Sequence, residues 1–244
     1  MEGLWQVLGY GVLCGVALII GTVISTYWTP SPKFRSYIQH VAAGLVFAAV
    51  GVEILPDMLE RAIPLAAALG FAAGVGFVLG IEAVAEKFTE RNKEKGKESN
   101  VSLIGVLTTD IFIDGVLIGV AASAGGEGGS QALLVTIALA TELLALGLSM
   151  GCTLSQSGGS RTRVITTGGV MGIAPVVGAL LGAVLGASLS GFWVEGILAF
   201  AAAALMYLAT EELLKEAHEV KETPVATLLF FGSFLAILLI DMVS

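Results

Sequence analysis

The sequence predicts an all-α integral membrane protein with eight transmembrane helices and both termini outside. Of its 244 residues, 56% are hydrophobic and only 13% are charged, and the mean hydropathy is +0.91. A soluble domain of this length contains far more charge. The apolar runs are continuous rather than alternating, which favours spanning helices over the strands of a β-barrel. We therefore expect the whole chain, 1–244, to form a single transmembrane domain.

Eight apolar runs are each close to the ~20 residues that a helix needs to cross the hydrocarbon layer. Their approximate bounds are 4–27, 36–57, 63–86, 101–124, 131–154, 163–189, 192–214 and 224–243. The stretch 87–100, between the third and fourth runs, is strongly polar and alternates in charge sign, so we interpret it as a short cytoplasmic loop. Pro56 and Pro175 fall inside runs and are expected to bend their helices.

The basic residues predict the orientation, because Lys and Arg in short loops stay in the cytoplasm. Of the 12 Lys and Arg residues, 11 fall in or beside the 1–2, 3–4, 5–6 and 7–8 connections, and Arg61 alone falls in the opposite set. This distribution predicts that both termini lie outside, in a multi-pass protein of the cell membrane, either plasma or inner.

Three acidic residues lie inside apolar runs, where an ionised group is costly unless a cation or another partner compensates it. Asp110 and Asp114 are four residues apart in TTDIFIDGVLIG (108–119), so they share one helical face. Glu142 lies in the next run, in ATELLALGLSMG (140–151). Two neighbouring helices are therefore predicted to present an acidic site for a cation.

The fourth and fifth runs are related in sequence. TDIFIDGVLIG, beginning at Thr109, matches TELLALGLSMG, beginning at Thr141, at an offset of 32 residues. The match pairs Asp110 with Glu142, whereas Asp114 has no acidic counterpart. The two threonines either add oxygen contacts to an ion or bond to their own helix backbone, and the second interpretation is favoured.

An oxygen-only site suits hard or borderline cations, whereas imidazole and thiolate favour zinc, copper and nickel. Other acidic residues near helix ends either gather and release cations or are ordinary interfacial charges. These residues are Glu53 and Asp57 in the second run, and Glu211, Glu212, Glu216, His218 and Glu219 at the end of the seventh. His40 is expected at the membrane interface.

Three other segments have distinctive ends. They are HVAAGLVFAAVGVEILPDMLE (40–60), TGGVMGIAPVVGALLGAVLG (167–186) and ILAFAAAALMYLATEELLKEAHE (197–219). These segments resemble the second, sixth and seventh helices of the ZIP (Zrt/Irt-like protein) family of divalent metal transporters. The expected eight helices, outside termini and polar 3–4 loop are also similar to that family.

The resemblance implies a transporter whose second, fourth, fifth and seventh helices line the path, and it is compatible with a homodimer. The family's fourth helix typically reads HNxPEG, and here Asp110 stands at the histidine position and Asp114 at the glutamate. Glu142 stands at the histidine position of the similar fifth-helix motif. By the same resemblance, the acidic end of the seventh helix, with Glu211 and His218, would receive the ion.

We therefore expect a transporter that binds a divalent cation in mid-membrane and moves it by alternating access coupled to protons. The substrate would be Zn²⁺, Mn²⁺, Fe²⁺ or Cd²⁺, and the partners are this ion and the lipid bilayer. Two alternatives stay open: a ZIP-like protein that binds metal as a sensor or regulator without transport, and a proton-coupled carrier of a small organic solute. No cofactor, enzymatic activity or nucleic-acid partner is expected, because no nucleophile–base pair, phosphate loop or basic patch is present.

Overall fold

The computed structural model describes residues 2–94, 100–124, 129–189, 191–221 and 223–243. These residues are 90% helical and contain no strand, which confirms the all-α fold class. The described helical segments group into eight helices: α1 (Glu2–Tyr27), α2 (Pro32–Arg61), α3 (Pro64–Glu94), α4 (Asn100–Ala124), α5 (Gly129–Gln156), α6 (Arg161–Ser188), α7 (Phe192–Ala217) and α8 (Pro224–Asp241).

Seven of these helices, all except α4, have a described stretch long and apolar enough to cross a membrane. The chain is thus a multi-pass membrane protein. The polar stretch 87–100 is helical at its start, because α3 continues to Glu94. Residues 95–99 of that predicted loop lie outside the described residues.

Local sequence signals explain where several helices begin. Ser31 precedes Pro32 at the start of α2, and its hydroxyl accepts a hydrogen bond from the N–H of Phe34 at 3.2 Å. Thr223 and Pro224 repeat this arrangement at the start of α8. A serine or threonine cap pairs an amide that the first turn leaves unbonded, and proline at the first helical position has no amide to leave unbonded.

Three helices are irregular in their middle. α2 and α7 each contain a π-helical segment, at Ala49–Ile54 and Leu208–Leu214. α6 is interrupted between Arg161–Met171 and Ala174–Ser188, and Pro175 lies in the first turn of its second part. Such segments are frequent at functional sites because they leave backbone groups outside the regular hydrogen-bond pattern.

Glycines allow α4 to pack directly against the backbone of α6. A Cβ atom at Gly115 or Gly119 would overlap a carbonyl oxygen of α6. In the same way, a Cβ at Gly178 or Gly182 would overlap a carbonyl oxygen of α4. Each pair is four residues apart, which is the small-residue spacing of closely packed membrane helices.

The glycines of α5 that match those of α4 allow the same close packing, in this case against α1. Gly147 and Gly151 correspond to the α4 glycines in the 32-residue offset. A Cβ at Gly147 would overlap the carbonyl oxygen of Leu18, and a Cβ at Gly151 would overlap the side chain of Ser25. The sequence relation between the two runs therefore corresponds to equivalent packing.

The packing divides the bundle into two groups of helices. The contacts of α4 with α6 and of α5 with α1 are the most extensive, and α1 also packs on α6, which defines the α1/α4/α5/α6 group. In the α2/α3/α7/α8 group, α3 packs on α7, α8 on α2 and α2 on α7. The main contact between the groups joins α2 to α5.

The α4–α6 contact predicts different effects for one substitution at two glycines of the same helix. Gly119→Ala should destabilise the protein by about 1–3 kcal/mol, because the added methyl group forces two backbones apart. Gly105→Ala should be neutral or slightly stabilising, since a Cβ there meets no atom within 4 Å and alanine has the higher helix propensity. Thermal unfolding of both variants in detergent is the measurement. Equal unfolding temperatures would contradict the glycine-mediated contact.

Candidate metal centre

Asp110 and Asp114 of α4 and Glu142 of α5 meet inside the bundle. One carboxylate oxygen of each residue lies within 4.8 Å of the other two. The two aspartates share a face of α4 because they are one helical turn apart. Glu142 reaches them from the side, since α4 and α5 are in contact. The structure thus brings together the three acids that the sequence placed in apolar runs.

Two acids of this cluster are buried, and Asp110 is half-buried. Asp114 is 2% exposed and Glu142 is 1% exposed. One buried oxygen of each of the three acids, Asp110 included, has no hydrogen-bond partner among the described residues. A buried carboxylate without a partner costs several kcal/mol. Only a proton or a cation can compensate these oxygens.

The first of two cavities that reach the cluster lies between α3, α4 and α7. It has a volume of about 140 Å³, and Asp110 and Asp114 are part of its wall. Its other acidic residues are Glu82, Glu211 and Glu212. The hydroxyl of Tyr207 donates a hydrogen bond to the Glu82 carboxylate, which joins α7 to α3 across the cavity wall.

The second cavity lies between α2, α5 and α7. It has a volume of about 190 Å³ and is lined by Glu142 and by polar side chains of α5 and α7. The Ser149 hydroxyl donates a hydrogen bond of 2.8 Å to Oε1 of Glu216 in this cavity. Glu212 lines both cavities. No described lining residue of either cavity is Lys, Arg or His, so both present negative potential to a cation.

The second cavity extends from the cluster towards one end of the bundle. We call this end the basic end, because Lys33 in the first turn of α2 and Lys215 in the last turn of α7 lie there. The residues of α5 that line the second cavity run from Glu142 to Thr153, towards the end of that helix. On the other side of the acids, α5 is packed into the core, and Leu139 is 0% exposed. The second cavity thus leads from Glu142 towards the basic end.

The two threonines beside the acids bond to their own helix. The Thr109 hydroxyl donates to the carbonyl oxygen of Gly105 at 3.0 Å, and the Thr141 hydroxyl donates to that of Ile137 at 2.8 Å. This is the interpretation that the sequence favoured, because a hydroxyl in an apolar helix finds the carbonyl one turn earlier.

The other candidate residues are spread over α2, α7 and the residue that follows α7. Glu211 lines the first cavity, and the ring of His218 contacts the ring of His40 at the basic end. Glu53 is 4% exposed in the π-helical segment of α2, and Asp57 forms an ion pair of 3.8 Å with Arg61. The structure therefore does not bring these residues into the carboxylate cluster.

His40, which the sequence analysis expects at the membrane interface, is buried between helices. Its side chain is 4% exposed, because α2 packs against the end of α7 at this point. Sequence reasoning also missed Glu195 in α7, which is 1% exposed and has one oxygen without a hydrogen-bond partner in the described structure. Its position within the apolar segment FWVEGILAF (192–200) was the available signal.

Comparisons with known proteins identify no family for this chain: no family model matches it, and no curated protein matches it.

The carboxylate cluster predicts that neutralising one acid stabilises the metal-free protein. Asp114→Asn should raise the unfolding temperature of the metal-free protein by roughly 2–8 °C, which corresponds to about 1–2 kcal/mol at this chain length. The reason is that an amide removes one buried charge and can donate to the remaining carboxylates. Differential scanning fluorimetry with a chelator present is the measurement. Glu60→Gln, at an exposed acid, is the control that should leave the temperature unchanged. A lower unfolding temperature for Asp114→Asn would mean that this carboxylate already has a stabilising partner.

Proposed function

We propose that this chain is a ZIP-like transporter of divalent metal cations in the plasma or inner membrane. The observation that carries the proposal is the cluster of Asp110, Asp114 and Glu142, whose oxygens lie within 4.8 Å of one another. A transport site needs a charged ligand set inside the membrane that is incomplete without its ion. The oxygens without hydrogen-bond partners have this property.

The spacing of the oxygens suits one divalent ion. Oxygen ligands bind such ions at 2.0–2.6 Å, so two ligands on opposite sides of one ion are about 4–5 Å apart. The largest separation in the cluster, 4.8 Å, falls in this range. Zn²⁺, Mn²⁺, Fe²⁺ and Cd²⁺ are the substrates considered, and a set made only of carboxylates favours the harder ions among them, such as Mn²⁺.

The cavity volumes favour an ion over an organic solute. Pockets for small organic ligands typically measure about 300–1,000 Å³. The two cavities here measure about 140 and 190 Å³. They have room for a hydrated ion and little more, which supports a metal substrate over the alternative of an organic-solute carrier.

The proposal includes α4 as an eighth span. This helix is 25 residues long and packs along α6, and its two acids face the bundle interior. With eight spans, the positive-inside rule places the basic end in the cytoplasm and both termini outside. The second cavity then leads from Glu142 towards the cytoplasm, which is one of the two directions of access that alternating access requires.

Charge balance supports coupling to protons. Three carboxylates in so small a buried volume repel each other, so an empty cluster retains protons that an incoming divalent ion displaces. The outgoing protons offset the charge that the ion brings in. A carrier built on this cluster therefore exchanges cation for protons.

Transport is tested by uptake of Mn²⁺ into proteoliposomes that contain the purified chain. Asp114→Asn should lower the initial rate at least tenfold, because it removes a charged ligand while preserving side-chain volume. Glu60→Gln should transport like the unsubstituted chain. Binding of Mn²⁺ without uptake would favour the sensor or regulator, and uptake of an organic cation that metals do not inhibit would favour the solute carrier.

Proton exchange is tested by titrating Mn²⁺ into the detergent-solubilised chain in weak buffer near neutral pH. We expect about one proton or more to be released for each bound ion, and fewer from Asp114→Asn. The pH change of the solution, calibrated with acid, gives the number of protons released. Binding without release across pH 6–8 would contradict the coupling.

A further inference from the structure

A hydrogen bond between two side chains connects the two groups of helices. Its donor is the Ser149 hydroxyl of α5, in the α1/α4/α5/α6 group, and its acceptor is Oε1 of Glu216 in α7, in the α2/α3/α7/α8 group. The two oxygens are 2.8 Å apart. An ionised acceptor makes such a bond stronger than one between neutral groups. We call it the α5–α7 bond.

Further side-chain hydrogen bonds join helices of the same group. The Cys14 thiol of α1 donates to the carbonyl oxygen of Thr136 in α5, with 3.8 Å between sulfur and oxygen. In the other group, the Ser233 hydroxyl of α8 donates to the carbonyl oxygen of Val41 in α2 at 3.1 Å. Bonds of this kind are preserved when one group moves as a unit along the other. The α5–α7 bond differs from them, because its two ends would separate.

The α5–α7 bond lies in the wall of the second cavity. Ser149 and Glu216 both line this cavity, together with Glu142 of the carboxylate cluster. Ser149 follows Glu142 by about two turns along the same face of α5. The bond therefore accompanies the arrangement in which this cavity reaches the acids from the basic end.

A bond that is present in one arrangement and absent in another shifts the equilibrium between the two. Alternating access needs a second arrangement, in which the acids face the opposite side of the membrane. If α5 and α7 change their relative positions in that step, the Ser149 hydroxyl must leave the Glu216 carboxylate. The α5–α7 bond then stabilises only the arrangement that the structure shows.

We propose that the α5–α7 bond is a latch, which favours access to Glu142 through the second cavity and breaks when access changes to the opposite side. Ser149 and Glu216 are then positioning residues, because they act on the balance between two arrangements and not as ligands of the ion. The role of the latch in transport rests on the proposed function, whereas its control of access to the cavity does not.

Access to the cavity is measured by the labelling of a single cysteine. Ala145 lines the second cavity between Glu142 and Ser149. Ala145→Cys is therefore introduced into a parent chain that carries Cys14→Ala and Cys152→Ala. A membrane-impermeant maleimide is applied to right-side-out and inside-out vesicles, with a chelator present. The orientation in which the parent chain is labelled faster defines the open side.

Ser149→Ala should lower the labelling rate from the open side by about threefold or more, because the open arrangement loses a hydrogen bond to a charged group. Glu216→Ala should have the same effect, and the two substitutions together should have no larger one. Glu216→Gln should be labelled like the parent chain, since its amide oxygen still accepts the hydrogen bond. Ser155→Ala is the matched control, because the Ser155 hydroxyl donates to the carbonyl oxygen of Gly151 in its own helix at 2.7 Å.

Equal or faster labelling of Ser149→Ala from the open side would overturn the latch. A loss of labelling in Glu216→Gln as large as that in Glu216→Ala would also overturn it, because the charge and not the bond would then be responsible. Uptake of Mn²⁺ by the unsubstituted chain separates the two proposals. Slower labelling of Ser149→Ala without any uptake keeps the latch and refutes the proposed function, whereas uptake with unchanged labelling refutes the latch alone.

Discussion

The structure depends on three neighbouring carboxylates, two buried and one half-buried, that have no positive partner among the described residues. Oxygens of Asp110, Asp114 and Glu142 lie within 4.8 Å of one another, and the described residues that line the adjoining cavities include no basic side chain. Such an arrangement is stable only with protons or a cation in it. Folding stability and protonation are therefore linked in this protein, and the proposed binding of a metal ion would shift both.

The helix contacts form two equivalent sets of pairs. α4 packs on α6 as α5 packs on α1, and α3 packs on α7 as α8 packs on α2. α2 and α7 take equivalent positions in these pairs, and each contains a π-helical segment. The repeat is broken at the site itself, because Leu146 stands opposite Asp114 in the matched sequences. The third acid is thus specific to one half.

The sequence was sufficient for features that depend on local spacing. The four-residue separation of Asp110 and Asp114 and the caps at Ser31 and Thr223 predict a shared face and helix starts. Features that depend on which helices become neighbours could not be predicted. The burial of His40 follows from the contact of α2 with the end of α7, and no local pattern in the sequence encodes that contact.

All three acids belong to the α1/α4/α5/α6 group, whereas much of the cavity wall opposite them comes from α2, α3 and α7. Sliding one group along the other would leave the geometry around the ion intact and exchange only the surface that faces it. In the proposed transporter, ion binding and the side to which the ion is released would thus depend on separate sets of helices. Substitutions in α3 or α7 would then change the transport rate and leave the affinity for the ion unchanged.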